Sequence, residues 1–278
     1  MRNRLDSEGS NNLLKLLFKN PSEPIAVSRV GLGGETLTTY AVYNNMQVPD
    51  QWSHWLHNNA GFYGSKDYRR YADLYHGALQ QANVHAYWAT GNIFQVAEDF
   101  LVPKTVTMID PSALESFRFS DPWTESLSDK KVLIVHPFKD TIESQLERKD
   151  MIWKDQRILG FGQTIVYQSV QSIGGVGPDS DWFASFERMK SDIQKIDFDV
   201  ALLGCGAYGI PLMGWIKSEL GKSSVYVGGG LQLYFGIRGQ RWDRSPDVSA
   251  MYNESWVRCN EQEKPRHINM AGDEASYF

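Results

Sequence analysis

Apolar positions along this chain fall into short unbroken runs that alternate with longer stretches at helical spacing. Residues 11–19 read as a short amphipathic helix ahead of Pro21 and Pro24. Residues 25–30 then read as a strand, turned by Gly31, Leu32, Gly33 and Gly34, with a helix from Glu35 to residue 43. Residues 67–83 place Tyr71, Leu74, Tyr75, Ala78 and Leu79 on one helical face. Strands are expected over 105–109, 132–135 and 164–170, and a short helix starts at 121–124. His136, Pro137 and Phe138 break the second of those strands, and 141–153 predicts a helix with Ile142, Leu146 and Ile152 inward. A Gly/Pro/Ser/Asp loop over 172–181 leads into a helix over 182–195. The clearest unit follows: strand 199–203, a glycine turn, helix 210–220 ended by Gly221, and strand 224–227 stopped by Gly228, Gly229 and Gly230. This alternation predicts an α/β fold, Rossmann-like, with a mostly parallel sheet and helices on both faces. Residues 1–24 read as an N-terminal helical extension, 25–243 as the α/β domain, and 244–278 as a polar, irregular tail packed on it.

Composition narrows the function. The 278 residues, 42% hydrophobic, can bury a large core. A net charge of -5 argues against broad nucleic-acid or anionic-membrane binding. No apolar run approaches the roughly 20 residues of a membrane span. Residues 1–6 lack the apolar stretch of a signal peptide, and Cys205 and Cys259 are the only cysteines. These features predict a cytoplasmic protein without disulfides. Nine tryptophans suit aromatic sugar platforms, although core packing explains most aromatic residues.

Four strand-loop-helix junctions carry the candidate chemistry. Gly204, Gly206 and Gly209 match G-x-G-x-x-G around Ala207 and Tyr208, after a strand and opening a helix. A dinucleotide fold would place that motif in its first turn and an acid at the end of the next strand, where this chain has Gly228 to Gly230. A phosphate or nucleotide site fits better, with a purely structural tight turn as the alternative. The second junction offers Gly229, the amide of Gln232, the guanidinium groups of Arg238 and Arg241, and Trp242 for stacking; the alternative is a surface arginine pair beside core aromatics. The third runs from Arg29 through Gly31 and Gly33 to Glu35, which is placed to cap its helix, bind a divalent ion or act as a base. The fourth joins His136, Pro137 and Phe138 to Ser144 and Gln145, with His136 structural or catalytic. His54 and His57 have metal-like spacing without a partner cluster, and no G-x-S-x-G, Walker A or Cys/His zinc pattern is present.

From about residue 25 onward the chain resembles a family of glycosyltransferases from bacterial polysaccharide gene clusters, related to the GT-D type. The resemblance rests on residues 26–35, on 59–62 beginning with Asn59, on 121–124, and on 132–138 with Ser144 and Gln145. Its strongest segments are 198–212, 229–243 and 253–258. It implies transfer of a sugar from a UDP- or GDP-sugar donor to a glycan or glycoprotein acceptor in surface polysaccharide or glycoprotein synthesis. GT-D enzymes hold Mn2+ or Mg2+ and the donor diphosphate with an Asp-x-Glu motif. Glu35 matches that Glu, so it is the implied metal ligand and catalytic residue, while Gly33 stands where the Asp belongs. The branch usually ends in a Cys-Tyr-Trp-like run, where this chain has Ala275, Ser276, Tyr277 and Phe278. Two other readings compete: a noncatalytic nucleotide-sugar-binding component, and a nicotinamide-dependent oxidoreductase.

Overall fold

The computed structural model describes residues 3–265 and 277–278. Its strands are β1 (Ala26–Arg29), β2 (Val84–Ala86), β3 (Thr107–Ile109), β4 (Lys131–His136), β5 (Gln163–Gln168), β6 (Val200–Leu203) and β7 (Ser223–Tyr226). All pair in parallel, in the order β3-β2-β1-β7-β6-β4-β5. The chain leaves β1 toward one edge and β4 toward the other, and β6 and β7 fill the space between. An order reversal of this kind opens a crevice at the carboxyl ends of the central strands.

Side chains alternate across the sheet, so each strand feeds two cores. Val27, Val132, Ile134, Val200, Leu202 and Val225 face one way, and Leu14 and Phe18 of α1 (Ser7–Lys19) cover them, together with Leu231, Ile237 and Trp256. Ala26, Leu133, Val135, Ala201 and Leu203 face the other way. That side is covered first by a loop-rich stretch: α2 (Gly34–Tyr43) is followed by α3 (Asp50–His54), which widens into a π-type turn over Trp55–Asn59. Tyr71 and Tyr75 of α4 (Tyr68–Leu79) and Leu101 of α5 (Ile93–Leu101) then cover the second face. Helix α6 (Lys139–Leu146) returns to the first face through Ile142. On the second face Trp182 of α7 (Trp182–Ile193) joins Leu212 and Ile216 of α8 (Gly209–Leu220). Three single-turn helices follow β7: α9 (Leu231–Tyr234), α10 (Gln240–Asp243) and α11 (Pro246–Ser249). Among the described residues no helix is long and apolar enough to cross a membrane.

The α/β alternation read from the pattern is therefore present, with an all-parallel sheet. Three local departures have physical causes. The helix expected over 141–153 ends at Leu146, and a tight turn at Lys149–Met151 still buries Ile152 and stacks Trp153 on Phe117 at 5.0 Å. Strand β2 has three residues, too few to alternate, and its central His85 is polar yet fully buried. Helix α5 carries Ile93, Val96, Ala97, Phe100 and Leu101 on one face, yet Ile93, Val96 and Phe100 of that face are exposed.

Trp182 is the centre of the second core, stacked on Tyr208 at 4.8 Å and on Phe186 at 5.2 Å, with Phe62 and Tyr71 around it. Trp182→Ala is expected to cost about 3–5 kcal/mol, the range for a large aromatic deleted from a close-packed core. Gly77 gives the opposite sign. It is exposed within α4, and a Cβ added there would meet nothing within 4 Å. Gly77→Ala is therefore expected to stabilise by about 0.5–1 kcal/mol. Urea midpoints of the two variants check both values.

Candidate functional site

A cavity of about 260 Å³ opens where the strands end. Its walls come from the loops after β1, β2, β4, β5, β6 and β7, with Asn59 and Ala60 from the π-type turn and Tyr277 and Phe278 from the far end of the sequence. These loops are laced by main-chain and hydroxyl bonds. Ala207 N–H donates to the Ala60 carbonyl at 2.8 Å, Gly174 N–H to the Asn58 carbonyl at 2.8 Å, and Ser172 Oγ to the Gly61 carbonyl at 2.7 Å.

Among the described residues, the first turn of α2 supplies the only side-chain carboxylate in the cavity wall. Glu35 lies in the first turn of α2, and its carboxyl folds back over the loop, so a Cβ on Gly31 would lie 3.0 Å from Oε1. Burial pushes its pKa above the usual carboxylate range, opposed by a hydrogen bond to its own backbone and by the Arg29 charge. Thr36 Oγ1 donates to the Gly31 carbonyl at 2.7 Å and fixes the turn. Arg29, at the end of β1, lies over the Trp88 ring at 4.9 Å and donates from Nη1 to the Val227 carbonyl at 2.8 Å. Its Nε is buried without a partner among the described residues, and no carboxylate there lies within 4.0 Å of the guanidinium.

Several helix starts are capped by side chains. Asp67, Asn92 and Asp181 cap α4, α5 and α7 with their side chains. Glu263 reaches back to the first N–H groups of α6, accepting from Asp140 N at 2.7 Å. Helix α2 starts at the cavity after Gly33, which has no side chain to cap it, and the Glu35 carboxyl accepts a hydrogen bond from its own backbone. The partial positive charge at the start of α2 favours an anion.

His136 closes β4. Its Nδ1 accepts from Phe138 N–H at 3.1 Å, so the neutral ring carries its proton on Nε2. Burial pushes the imidazole pKa down to about 3, which keeps it neutral at physiological pH. The ring edge packs on β6: a Cβ on Gly204 would lie 2.8 Å from His136 Cδ2 and 2.9 Å from the Gly228 carbonyl oxygen. At the β7 turn, adjacent glycines seat two cavity residues, since a Cβ on Gly228 would lie 3.0 Å from Arg29 Nη1 and one on Gly229 would lie 2.2 Å from Tyr277 Cε1.

The sequence-derived candidates divide accordingly. Arg29, Gly31, Gly33, Glu35, Asn59, His136, Pro137, Phe138, Gly204, Gly206, Gly229, Gln232 and Arg241 share the cavity wall. The others lie elsewhere. Ser144 is exposed on α6, and Gln145 is buried as a brace, donating from Nε2 to the carbonyls of Phe235 and Ser255, both at 2.9 Å. Ala207 and Tyr208 belong to the second core, and Gly209 makes room for the Tyr226 ring, 2.0 Å from where a Cβ would be. Arg238 points away because the parallel bridge Ile237–Val257 turns Ile237 inward, and its guanidinium lies over Tyr252 at 5.6 Å. Trp242 is buried against Tyr277, one position round α10 from Arg241. His57 is committed to Phe62 and Tyr68 through its two nitrogens, and no cluster of three metal-ligating side chains occurs among the described residues.

Sequence reasoning missed Trp88, Tyr226, Tyr277, Phe278 and the 170–173 segment of the wall. It also missed a buried relay beneath them. Ser28 Oγ lies 2.7 Å from His85 Nδ1, and His85 Nε2 lies 2.9 Å from Glu98 Oε1. A polar His85 inside an apolar three-residue run was the available signal.

Compared with known protein families, curated proteins and solved structures, the chain matches none.

The low pKa of His136 fixes a sign for acid stability. The unfolded chain protonates this imidazole near pH 6.5, whereas the folded state resists until about 3. Between those values the unfolded state binds more protons, so stability is full above pH 6.5 and falls as the pH drops toward 3. His136→Asn keeps an acceptor for Phe138 N–H and removes the titration. Urea unfolding at pH 7 and pH 5 is expected to show wild type losing about 1–2 kcal/mol more than this variant.

Proposed function

We propose that the protein is a glycosyltransferase that binds a nucleotide-sugar at the carboxyl edge of the sheet and transfers the sugar to a glycan or glycoprotein acceptor. One observation carries this reading: Arg29 and Arg241 line the same cavity with no carboxylate within 4.0 Å among the described residues, beside one buried carboxyl. Two guanidinium groups without a carboxylate partner among the described residues suit a ligand with two linked phosphates. The resemblance of the glycine-rich segments to GT-D glycosyltransferases supports the sugar-nucleotide assignment over a simple phosphate.

In this reading Glu35 is the base. The acceptor O–H proton passes to its carboxylate as the acceptor oxygen forms a bond to the anomeric carbon. The bond from that carbon to the diphosphate breaks, and the nucleoside diphosphate leaves with the electron pair. Arg29 and Arg241 stabilise the charge that grows on the leaving phosphate. A raised pKa makes Glu35 a better proton acceptor once ionised. Neutral His136 offers Nε2–H as a fixed donor and does not shuttle protons near pH 7. Among the described residues the donor set does not fit a resident Mn2+ or Mg2+: one carboxyl stands where such ions usually need more oxygen ligands, and Arg29 adds positive charge beside it. No step here is routed through a metal.

A panel of UDP-, GDP- and nicotinamide nucleotides tests the assignment by calorimetry. UDP or GDP and their sugar conjugates are expected to bind, and Mn2+ alone is not. Arg29→Ala and Arg241→Ala are each expected to weaken diphosphate binding about tenfold or more, while Arg238→Ala binds as wild type. Glu35→Gln keeps nucleotide affinity and lowers turnover by about 10²–10⁴. Binding of NAD(H) with no response to any sugar nucleotide would sink the proposal.

A further inference from the structure

We propose that Tyr277 belongs to the anion-binding end of the cavity, where its hydroxyl and Arg241 form a two-donor clamp for the phosphate that leaves with the nucleotide. The inference rests on the nucleotide reading above and adds to it a residue 36 positions from Arg241 that no local pattern marks.

The seat of Tyr277 is built from several separate parts of the chain. Its ring fits against bare main chain at Gly229. One edge meets Trp242 at 5.5 Å with the planes 62° apart. Its carbonyl accepts from Gln232 Nε2 at 3.1 Å. The following residue is held as firmly. Phe278 is buried with its ring 5.7 Å from Phe138, and its main-chain oxygen accepts from Gln240 N–H at 3.3 Å and from Arg258 Nη1 at 3.1 Å. Arg258 in turn is paired with Asp243. This two-residue segment is thus fixed at its rings and at its main chain, and both residues form cavity wall.

The hydroxyl is what packing alone does not require. Arg241 Nη1 donates to Tyr277 Oη at 3.3 Å. A phenol that accepts one hydrogen bond still has its own O–H to give, and the guanidinium keeps further N–H groups. Arg29 stands across the same turn, seated on Gly228 as Tyr277 is seated on Gly229. Three donors therefore surround a glycine turn that carries no side chain of its own. That arrangement matches the oxygens of a diphosphate, and it is indifferent to the base attached to it.

Calorimetry with inorganic pyrophosphate, UDP and GDP on the full chain tests this. Tyr277→Phe keeps the ring and removes the O–H. It is expected to retain the wild-type melting temperature and to weaken pyrophosphate, and whichever nucleotide binds, about tenfold. The double variant Tyr277→Phe with Arg241→Ala should bind no more than about twofold more weakly than Arg241→Ala alone, because the two donors act as a unit. Wild-type affinity in Tyr277→Phe, alongside a clear loss in Arg29→Ala, would overturn the clamp and leave the nucleotide reading standing. A wild-type chain that binds none of the three probes overturns both.

Discussion

The close approach of three strand ends governs the geometry of the site. The ladder continues past the strands, with Gly204 N–H donating to the Val135 carbonyl at 2.9 Å and Val227 N–H to the Leu203 carbonyl at 3.0 Å. At that point Gly204 lies between the His136 ring and the Gly228 carbonyl, with no room for a Cβ on either side. Any side chain at 204 would have to push apart β4 and β7. The cavity floor is consequently main chain and imidazole edge. Beyond the His136 ring, its chemistry comes from longer side chains reaching in from the rim, Arg29, Glu35, Arg241 and Tyr277 among them.

Charge placement follows from the same crowding. Arg29 is drawn to the Val227 carbonyl and the Trp88 face, which hold the guanidinium without neutralising it. Had it formed a bidentate pair with Glu35, the carboxylate would be locked in its charged form and both groups would be lost to a ligand. Instead the separation leaves Arg29 only a partial influence on Glu35, smaller than the effect of burial. The carboxyl is therefore able to change protonation state while the guanidinium remains a fixed positive charge. That division of labour suits a reaction in which a proton is taken from one group as negative charge grows on another.

Patterns along the chain revealed the parallel sheet because its central strands are unbroken apolar runs, as at 132–135 and 200–203. They also located the glycine turns that line the site. Direction was not legible. Arg238 and Arg241 look equivalent as residues, yet the Ile237–Val257 bridge and the single turn of α10 set one against Tyr252 and the other in the cavity wall. Gln145 has the right chemistry for a ligand and spends it on two backbone carbonyls. Tyr277 could not be found by periodicity, since its place is fixed by contacts with Gly229, Gln232 and Trp242, residues 35 to 48 positions away.

The buried relay of Ser28, His85 and Glu98 shows how geometry without access should be read. Its spacing resembles a nucleophile, a base and an orienting acid. All three side chains are fully buried, however, and none reaches the cavity wall, so no substrate carbonyl can approach Ser28 Oγ. The outward connections of the relay give it a different role. Glu98 Oε1 also accepts from Trp88 N–H at 3.3 Å, and Trp88 Nε1 donates to the Val30 carbonyl at 2.9 Å. Trp88 is thereby held at its main chain and at its indole N–H, with Arg29 resting on the ring face. An arginine side chain loses much conformational entropy when it is ordered, and a pinned aromatic platform makes part of that loss before a ligand arrives. The relay thus acts through Trp88 to hold one of the two cavity guanidinium groups in place, supporting the site from beneath.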